Sequence, residues 1–317
     1  MRATATTSLP SAAGTATGPI PAYRVQHLLV GIEMDYADVN LLQYLTALSK
    51  VLSIKTIHGV HATPDLALLR AFIDIGPGMY ELYQLNEAVT QELRERFGKY
   101  ADNLRAEQQR AEVIEGKPLT TLLKAAEAEA ADLVVIGQKS SAGSHGIVAK
   151  KLARKAPGDV LIVPENSRIR FERIVVPIDF SPHSAAALRR AIAIARGVAG
   201  RVAVTAIHVC EVPYLAGEAM VWDQGQLEAM LYEDRERALR AFVAEHAPDT
   251  SVTLKREILM PNGSNPADKL YRYLTENESD LLIMGAKGHS VLDRLLVGSF
   301  TERLLATNRQ VPVMVVR

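Results

Sequence analysis

Four residues at fixed spacing in the second half of the chain are suited to binding an anion: Gly285, Gly288, Gly298 and Ser299. They follow the apolar run Leu281–Met284 and lead into a segment with helical spacing. Glycine has no Cβ atom, so the backbone here can turn tightly and approach a ligand closely. Successive backbone N–H groups can then surround an anion, and a following helix start adds N–H groups and a favourable dipole. The pattern predicts a phosphate site at the carboxyl end of a strand, where open α/β sheets bind ligands.

The sequence lacks the motifs of common catalytic centres. It contains no Gly-x4-Gly-Lys-Ser/Thr loop, protein-kinase motif set, His-Glu-x-x-His, paired Cys-x-x-Cys or Gly-x-Ser-x-Gly elbow. Asp293 and Glu302 lie in or near the glycine segment, but neither is an obvious general base. We therefore expect a phosphate-binding site with at most weak hydrolysis, and assign no catalytic or metal-binding residues.

Composition favours two globular domains and excludes several classes of partner. The 317 residues suit two domains of about 150 residues each. Equal numbers of basic and acidic residues, 36 each, argue against a nucleic-acid binder, and no apolar run is long enough to predict a membrane span. The single cysteine, Cys210, cannot form a disulfide within the chain, which fits a cytoplasmic protein. Residues 1–22 are expected to form a disordered tail.

The sequence repeats itself, which indicates a duplication. Four landmarks recur in the same order, at separations of 146 to 150 residues. The resulting units span residues 23–164 and 170–317, with a junction near Pro164–Arg170. The paired landmarks are Val25–Glu33 with Phe171–Asp179, Thr56–His58 with Ala206–His208, Gly116–Pro118 with Ser264–Pro266, and Ala131–Gly137 with Ser279–Gly285.

Each copy alternates short apolar runs with longer segments of helical spacing, such as Ser184–Val198. This alternation predicts a parallel sheet with helices on both faces. Ser181 and Pro182 predict a helix start in the second copy, and Asp35 occupies the matching place in the first. Residues 65–112 of the first copy are interpreted as a long insert, largely helical.

The glycine spacing from Gly285 to Ser299, with the repeated landmarks, resembles the ATP-binding branch of the universal stress protein family. The resemblance covers about residues 23–317 as two tandem copies. It implies two tandem doubly wound parallel five-stranded sheets with helices on both faces, of the adenine nucleotide alpha hydrolase-like type. It also implies that the two domains pair as an intramolecular pseudo-dimer through their last strands, Val311–Val316 and Asp159–Val163, and leaves a further homodimer open.

The resemblance also implies ATP as the ligand, with or without Mg²⁺, and specific contacts to it. Asp179 is expected beside the adenine and ribose, and the backbone of Val209 at the adenine edge. Lys287 and His289 lie within the loop and would add charge there, although the family pattern does not require them. The predicted nucleotide-contact residues are Pro177, Ile178, Asp179, Val209, Met284, Gly285, Lys287, Gly288, His289, Gly298 and Ser299.

The first copy departs from this pattern, so we expect it to act as a scaffold that does not bind ATP in the same manner. An apolar side chain, Ile147, stands where Ser299 would donate to a phosphate. Some basic residues leave another anion open, although solvated lysines are the simpler interpretation. The replacements are Gly31 for Pro177, Glu33 for Asp179, Gly59 for Val209 and Ser140 for Gly288, and the basic residues are Lys139, Lys150, Lys151 and Arg154.

Three functional hypotheses follow from the sequence. The favoured one is an ATP-binding sensor or regulatory module of a stress response, acting on a protein that the sequence does not identify. The second is a slow ATPase, in which the phosphate site would stabilise developing charge. The third is an interaction module that binds no nucleotide, as in the other branch of the family.

Overall fold

The computed structural model describes residues 20–63, 77–101, 103–139, 147–210, 224–248, 252–260, 264–286 and 298–317. The predicted tail, apart from residues 20–22, lies outside this part of the chain. Three predicted nucleotide contacts, Lys287, Gly288 and His289, also lie outside it. No helix in the described ranges is long and apolar enough to cross a membrane.

Strands and helices alternate along both halves of the described chain. The strands are β1 (Arg24–Ile32), β2 (Ser53–Thr63), β3 (Ala106–Glu115), β4 (Leu133–Gln138), β5 (Asp159–Pro164), β6 (Arg173–Pro177), β7 (Ala203–Val209), β8 (Thr253–Leu259), β9 (Leu281–Gly285) and β10 (Val313–Val316). The helices are α1 (Ala37–Val51), α2 (Pro77–Ala101), α3 (Pro118–Ala128), α4 (Ile147–Lys155), α5 (Pro182–Gly197), α6 (Gln224–His246), α7 (Pro266–Glu276) and α8 (Ser299–Thr307).

The ten strands form one continuous sheet in the order β3-β2-β1-β4-β5-β10-β9-β6-β7-β8. Each half is a five-stranded parallel sheet. The halves meet where β5 pairs antiparallel with β10, with Leu161 opposite Met314. The predicted fold class and the pairing of the two domains through their last strands are both confirmed.

The central strands are apolar on both sides because helices cover both faces of the sheet. Successive side chains of a strand point to opposite faces, and Leu28 and Leu29 accordingly belong to two separate apolar clusters. One cluster packs under α1, α2, α5 and α6, and the other under α3, α4, α7 and α8. The second face is the one on which the candidate sites lie.

The duplication extends to individual hydrogen bonds. Asp132 Oδ2 accepts the N–H groups of two residues at the start of β1, Gln26 and His27, at 2.6 and 2.9 Å. Asp280 Oδ2 accepts the N–H groups of Glu172 and Arg173 at the start of β6, both at 3.0 Å. These repeated aspartates fix the loop before β4 and β9 to the neighbouring strand in each half.

The predicted insert at residues 65–112 is wrong in part. Within it the described chain forms α2 and then β3, whose residues pair with β2 from Ala106 to Glu115. The same crossover recurs in the second half as α6 and β8. β3 was missed because it lies at the sheet edge, where its exposed positions carry Glu, Gln and Arg instead of an apolar run.

A buried carboxylate joins the two halves beside the β5–β10 pair. Asp159 of β5 is 3% exposed and accepts a hydrogen bond from the Tyr23 hydroxyl at 3.0 Å. From the second half, Arg190 Nε forms an ion pair with Asp159 at 2.9 Å, and the Arg317 N–H donates to it at 3.1 Å. The Arg190 guanidinium also lies 3.7 Å from the Tyr23 ring centre. Polar contacts thus supplement the strand pairing between the halves.

Candidate functional site

Three neighbouring strands of the second half end at one edge of the sheet. In the order β9-β6-β7 all three are parallel, so their carboxyl ends lie together. Pro177 ends β6, Val209 ends β7 and Gly285 ends β9. The chain leaves β6 toward β7 on one side and returns to β9 on the other, which makes this a topological switch point. Ligands of open α/β sheets bind in such crevices.

Asp179 is held in a tight turn between β6 and α5. Its Oδ1 accepts the Ser181 N–H at 3.0 Å, and the Ser181 hydroxyl oxygen accepts the Ser184 N–H at 3.1 Å as the cap of α5. Phe180 between them has φ +64°, a conformation rare for a residue with a side chain. The predicted helix start at Ser181 and Pro182 is confirmed, and it positions the Asp179 carboxylate at the edge.

Gly285 is required by close packing against the start of α5. A Cβ atom at this position would lie 2.7 Å from His183 Cβ and 2.8 Å from its carbonyl carbon. Only glycine therefore lets β9 end this close to the helix. Ala286 then continues the edge, with its N–H donating to the Val316 carbonyl at 2.8 Å.

The side chains of Ile178 and Met284 are buried in the apolar clusters on opposite faces, at 3% and 2% exposed. Any contact from these two residues to a ligand at the strand ends would come mainly from the main chain. Val209 and Gly285 are half-buried. A ligand at this edge would therefore contact backbone groups and the Asp179 carboxylate, with the buried side chains of Ile178 and Met284 beneath them.

The start of α8 supplies the second part of the predicted phosphate site. Gly298 is the N-cap residue, with φ −61° and ψ 150°, and no side chain of the described residues caps the helix through a hydrogen bond. The first N–H groups of an α-helix have no partner within the helix, and the helix dipole favours an anion there. Ser299 is exposed, and Phe300 packs against the apolar cluster that contains Met284. The segment between Ala286 and Gly298 lies outside the described residues.

One histidine at the end of β7 has a positioning role that the sequence did not reveal. His208 Nδ1 donates to the Ile178 carbonyl at 2.8 Å and so ties the end of β7 to the residue before Asp179. The first half repeats the contact, with His61 Nδ1 donating to the Ile32 carbonyl at 2.8 Å. A carbonyl oxygen only accepts, so the proton is on Nδ1 in both rings.

This repeated contact corrects the sequence alignment of the two copies. His208 corresponds to His61 and not to His58, so Ala62 and not Gly59 stands in the place of Val209. The error arose because Ile57-His58 and Val60-His61 both match the apolar residue and histidine at the end of β7. Strand register separates the two alternatives, whereas residue type alone does not.

The first half contains an open cleft at the edge that corresponds to the site described above. The cleft has a volume of about 350 Å³ and lies over the carboxyl ends of β1, β2 and β4, between the starts of α3 and α4. Its walls are mostly apolar. They include Gly31, Ile32, Val60, Ala62, Leu122, Ile136, Gly137, Val148 and Ala149, with Glu33, His61, Gln138 and Lys139 as the main polar members.

The first-half cleft carries an ion cluster that the sequence did not predict. Lys139 Nζ contacts Glu33 Oε2 and Asp35 Oδ2, and these carboxylates, Asp35 foremost, raise the pKa of Lys139 above its usual value. Asp35 also accepts the Ala37 N–H at 2.9 Å. The N-cap residue of α1 is nevertheless Tyr36, so the prediction that Asp35 caps this helix as Ser181 caps α5 is wrong. Lys139 is therefore not the solvated lysine we expected, because two carboxylates hold it. Arg154 pairs with Glu302 of the second half at 3.3 Å.

Comparison with known proteins identifies the family. A sequence model of the universal stress protein family matches residues 24–164 and again residues 170–317. The chain belongs to the universal stress protein family. It is similar to a universal stress protein of Methanocaldococcus jannaschii, with 30% identity over 152 residues that span 48% of this chain and 85% of the relative. It is also similar to the stress response protein NhaX of Bacillus subtilis, with 24% identity over 170 residues that span 46% and 98%.

The tandem arrangement also has solved counterparts. A universal stress protein from Archaeoglobus fulgidus superposes with a TM-score of 0.60 at 19% identity, over 92% of this chain and 96% of that one. A putative universal stress protein from Pseudomonas aeruginosa gives 0.56 at 17% identity, over 92% and 93%. At these identities the likeness concerns the fold alone. It extends across both halves of this universal stress protein, which form one two-domain unit within the chain.

The described residues contain no group of three or more His, Cys, Asp and Glu side chains that could hold a metal ion. The polar groups at the second-half edge, namely backbone N–H groups, the Asp179 carboxylate and the Ser299 hydroxyl, are suited to binding a polar ligand. The first half of the stress protein keeps the strand ends and the histidine tie but carries different charges around its cleft.

Proposed function

We propose that the second half of this universal stress protein binds ATP and that the chain works as a nucleotide-dependent regulatory module. The observation that carries the proposal is the convergence of Asp179, Val209 and Gly285 at one topological switch point. The free N–H groups expected at the start of α8 support the phosphate end of the site. Family membership supports the same assignment.

The chemistry assigns separate roles to the parts of the edge. Main-chain groups at Val209 suit the polar edge of adenine, and the Asp179 carboxylate suits donors such as ribose hydroxyls. The α8 start and the glycine segment before it suit the phosphates. Mg²⁺ would accompany the phosphates without a dedicated protein cage, which is how this ion commonly binds nucleotides.

A regulatory role requires that ATP bind two states of the chain unequally. The turn that holds Asp179 also starts α5, and α5 packs against β9 at Gly285. Occupancy of the edge would therefore bias the position of α5, which carries Arg190 of the contact between the two halves. The regulated protein would bind differently to the two positions of α5. The single cysteine supports placing this activity in the cytoplasm.

The test uses Gly298, whose Cβ direction is open: no heavy atom in the described chain lies within 4 Å. Gly298→Val should block phosphate approach while lowering stability by no more than about 1 kcal/mol, the value of a helix cap. Gly98→Ala is the matched control, since Gly98 also faces open space and lies in α2, far along the chain from the site. Calorimetric titration with ATP should show binding to the wild type and to the control, and loss of binding to Gly298→Val.

Two results would contradict the proposal. One is purified protein that is free of nucleotide and shows no thermal shift with ATP, which would indicate an interaction module. The other is undiminished ATP binding by folded Gly298→Val. Phosphate release that scales with protein concentration and disappears in Ser299→Ala would add slow hydrolysis to the binding function.

A further inference from the structure

We propose that the first-half cleft is a second ligand site, which takes an uncharged small molecule of about nucleoside size with hydrogen-bond donors and rejects nucleotide polyphosphates. This cleft lies in the other half of the chain from the proposed ATP site. The inference therefore stands or falls independently of nucleotide binding by the second half.

The cleft has the dimensions and lining of a small-molecule site. Its volume of about 350 Å³ lies at the lower end of the usual range for ligand pockets, roughly 300–1,000 Å³. Ile32, Val60, Leu122 and Ile136 give it apolar walls. Ala62 follows Val60 by two positions in β2, so its methyl group lies on the same face of the sheet. A ligand of this size would bury its apolar surface against these walls.

Charge on the cleft wall argues against an anion. Lys139 is held by Glu33 and Asp35, so this cluster carries a formal charge of −1 where a phosphate would need a cation. Among the described residues that line the cleft, Lys139 is the single lysine and there is no arginine. A polyphosphate would meet this net negative charge at the cleft wall.

The polar groups of the wall are mainly acceptors. Gln138 lines the cleft, is 6% exposed and shares the sheet face of Ile136. Its Nε2 donates to the Leu305 carbonyl at 3.3 Å, which leaves Oε1 without a partner among the described residues. That oxygen is itself buried, so a ligand in the cleft does not reach it. The exposed acceptor of the wall is the Glu33 carboxylate, so the cleft favours ligands that donate.

The decisive experiment compares adenosine, AMP and ATP, which share one ring and one ribose and differ in charge. Methyl resonances of Val60 and Leu122 report the first-half cleft in the full chain, and those of Val209 and Met284 report the second half. We expect adenosine to shift the first-half signals, AMP to do so more weakly, and ATP to leave them unchanged. First-half shifts that are as large with ATP as with adenosine would overturn the inference, and so would no shift with adenosine.

Matched variants assign the shifts to each site. Ala62→Phe places a ring in the first-half cleft and should abolish the adenosine response there, while Val209→Phe at the corresponding position should leave it intact. Glu33→Gln makes the ion cluster neutral and should raise AMP affinity at the first-half cleft by about two- to fivefold, the value of an exposed charge pair. An adenosine response that persists in folded Ala62→Phe, or no gain in AMP affinity in Glu33→Gln, would refute the inference.

Discussion

Gly285→Ala tests how tightly the second-half edge is assembled. The new Cβ atom would lie 2.7 Å from His183 Cβ and 2.8 Å from its carbonyl carbon, roughly 0.7 Å short of ordinary van der Waals contact. The nearest obstacles include main-chain atoms at the start of α5, so rotation of a side chain cannot relieve the overlap. Either α5 or the end of β9 must move, and both belong to the proposed nucleotide site.

The expected loss is about 1–3 kcal/mol of unfolding free energy, which is typical of overpacking in a closely packed region. Gly137→Ala is the matched control, because Gly137 holds the same place at the end of β4 in the first half. Among the described residues, its Cβ atom would meet Leu41 Cδ2 alone, at 3.7 Å, which is ordinary contact. That variant should be neutral or more stable by up to about 1 kcal/mol, since alanine restricts the unfolded chain more than glycine.

Urea unfolding followed by far-UV circular dichroism measures both variants against the wild type. A lower midpoint with an unchanged slope indicates lost stability in the folded state. If the halves unfold separately, the shift should appear in the second-half transition. ATP affinity should fall with Gly285→Ala and remain unchanged with Gly137→Ala. Equal midpoints for wild type and Gly285→Ala would refute the close-packing argument, as would an equal loss in both variants.

Three further predictions concern single side chains, all measured by the same urea unfolding. Asp159→Ala should lower stability by about 2–3 kcal/mol, because it removes the carboxylate shared between the halves and leaves its partners unpaired; an unchanged midpoint would contradict this. Tyr44→Phe should be neutral or stabilising by up to about 1–2 kcal/mol, since the buried Tyr44 hydroxyl has no partner in the described structure; a clear loss would show a hidden partner. His208→Leu and His61→Leu should each lower the unfolding free energy by about 1 kcal/mol, because each removes one hydrogen bond. Only His208→Leu should also weaken ATP binding in titrations. Equal effects of the two variants on binding would exclude a positioning role for His208.

Much of the fold could be predicted because its signals are local and appear twice. Apolar runs such as Leu281–Met284 are continuous since both faces of the sheet are covered, and Ser181 with Pro182 marks a helix start by its own chemistry. β3 escaped prediction because an edge strand needs no apolar pattern. The alignment of His58 with His208 failed because spacing between copies varies in loops, and only strand pairing fixes the true register.

The candidate site was predicted less completely because its geometry depends on contacts between distant residues. Asp179 and Gly285 could be predicted from spacing. The His183 contact that requires glycine joins β9 to α5 across about two thirds of the domain's sequence. The cluster of Lys139 with Glu33 and Asp35 similarly joins the ends of β1 and β4. Sequence patterns identify each charged residue but do not show that one lysine pairs with two carboxylates.

The two halves differ in the charged residues at their strand ends, where a ligand would bind. They agree in the hydrogen bonds and backbone conformation that hold these strand ends. Both contain the aspartate that fixes the strand starts and the histidine that ties the strand ends. Met34 and Phe180, with φ of +65° and +64°, place the following loop in the same unusual conformation. The differences at Glu33 and Lys139 therefore alter charge on a conserved geometry within one chain. Function depends on the residues of a site more than on its fold. A charge substitution at the strand ends of either half should therefore change ligand binding by that half without a matching change in stability.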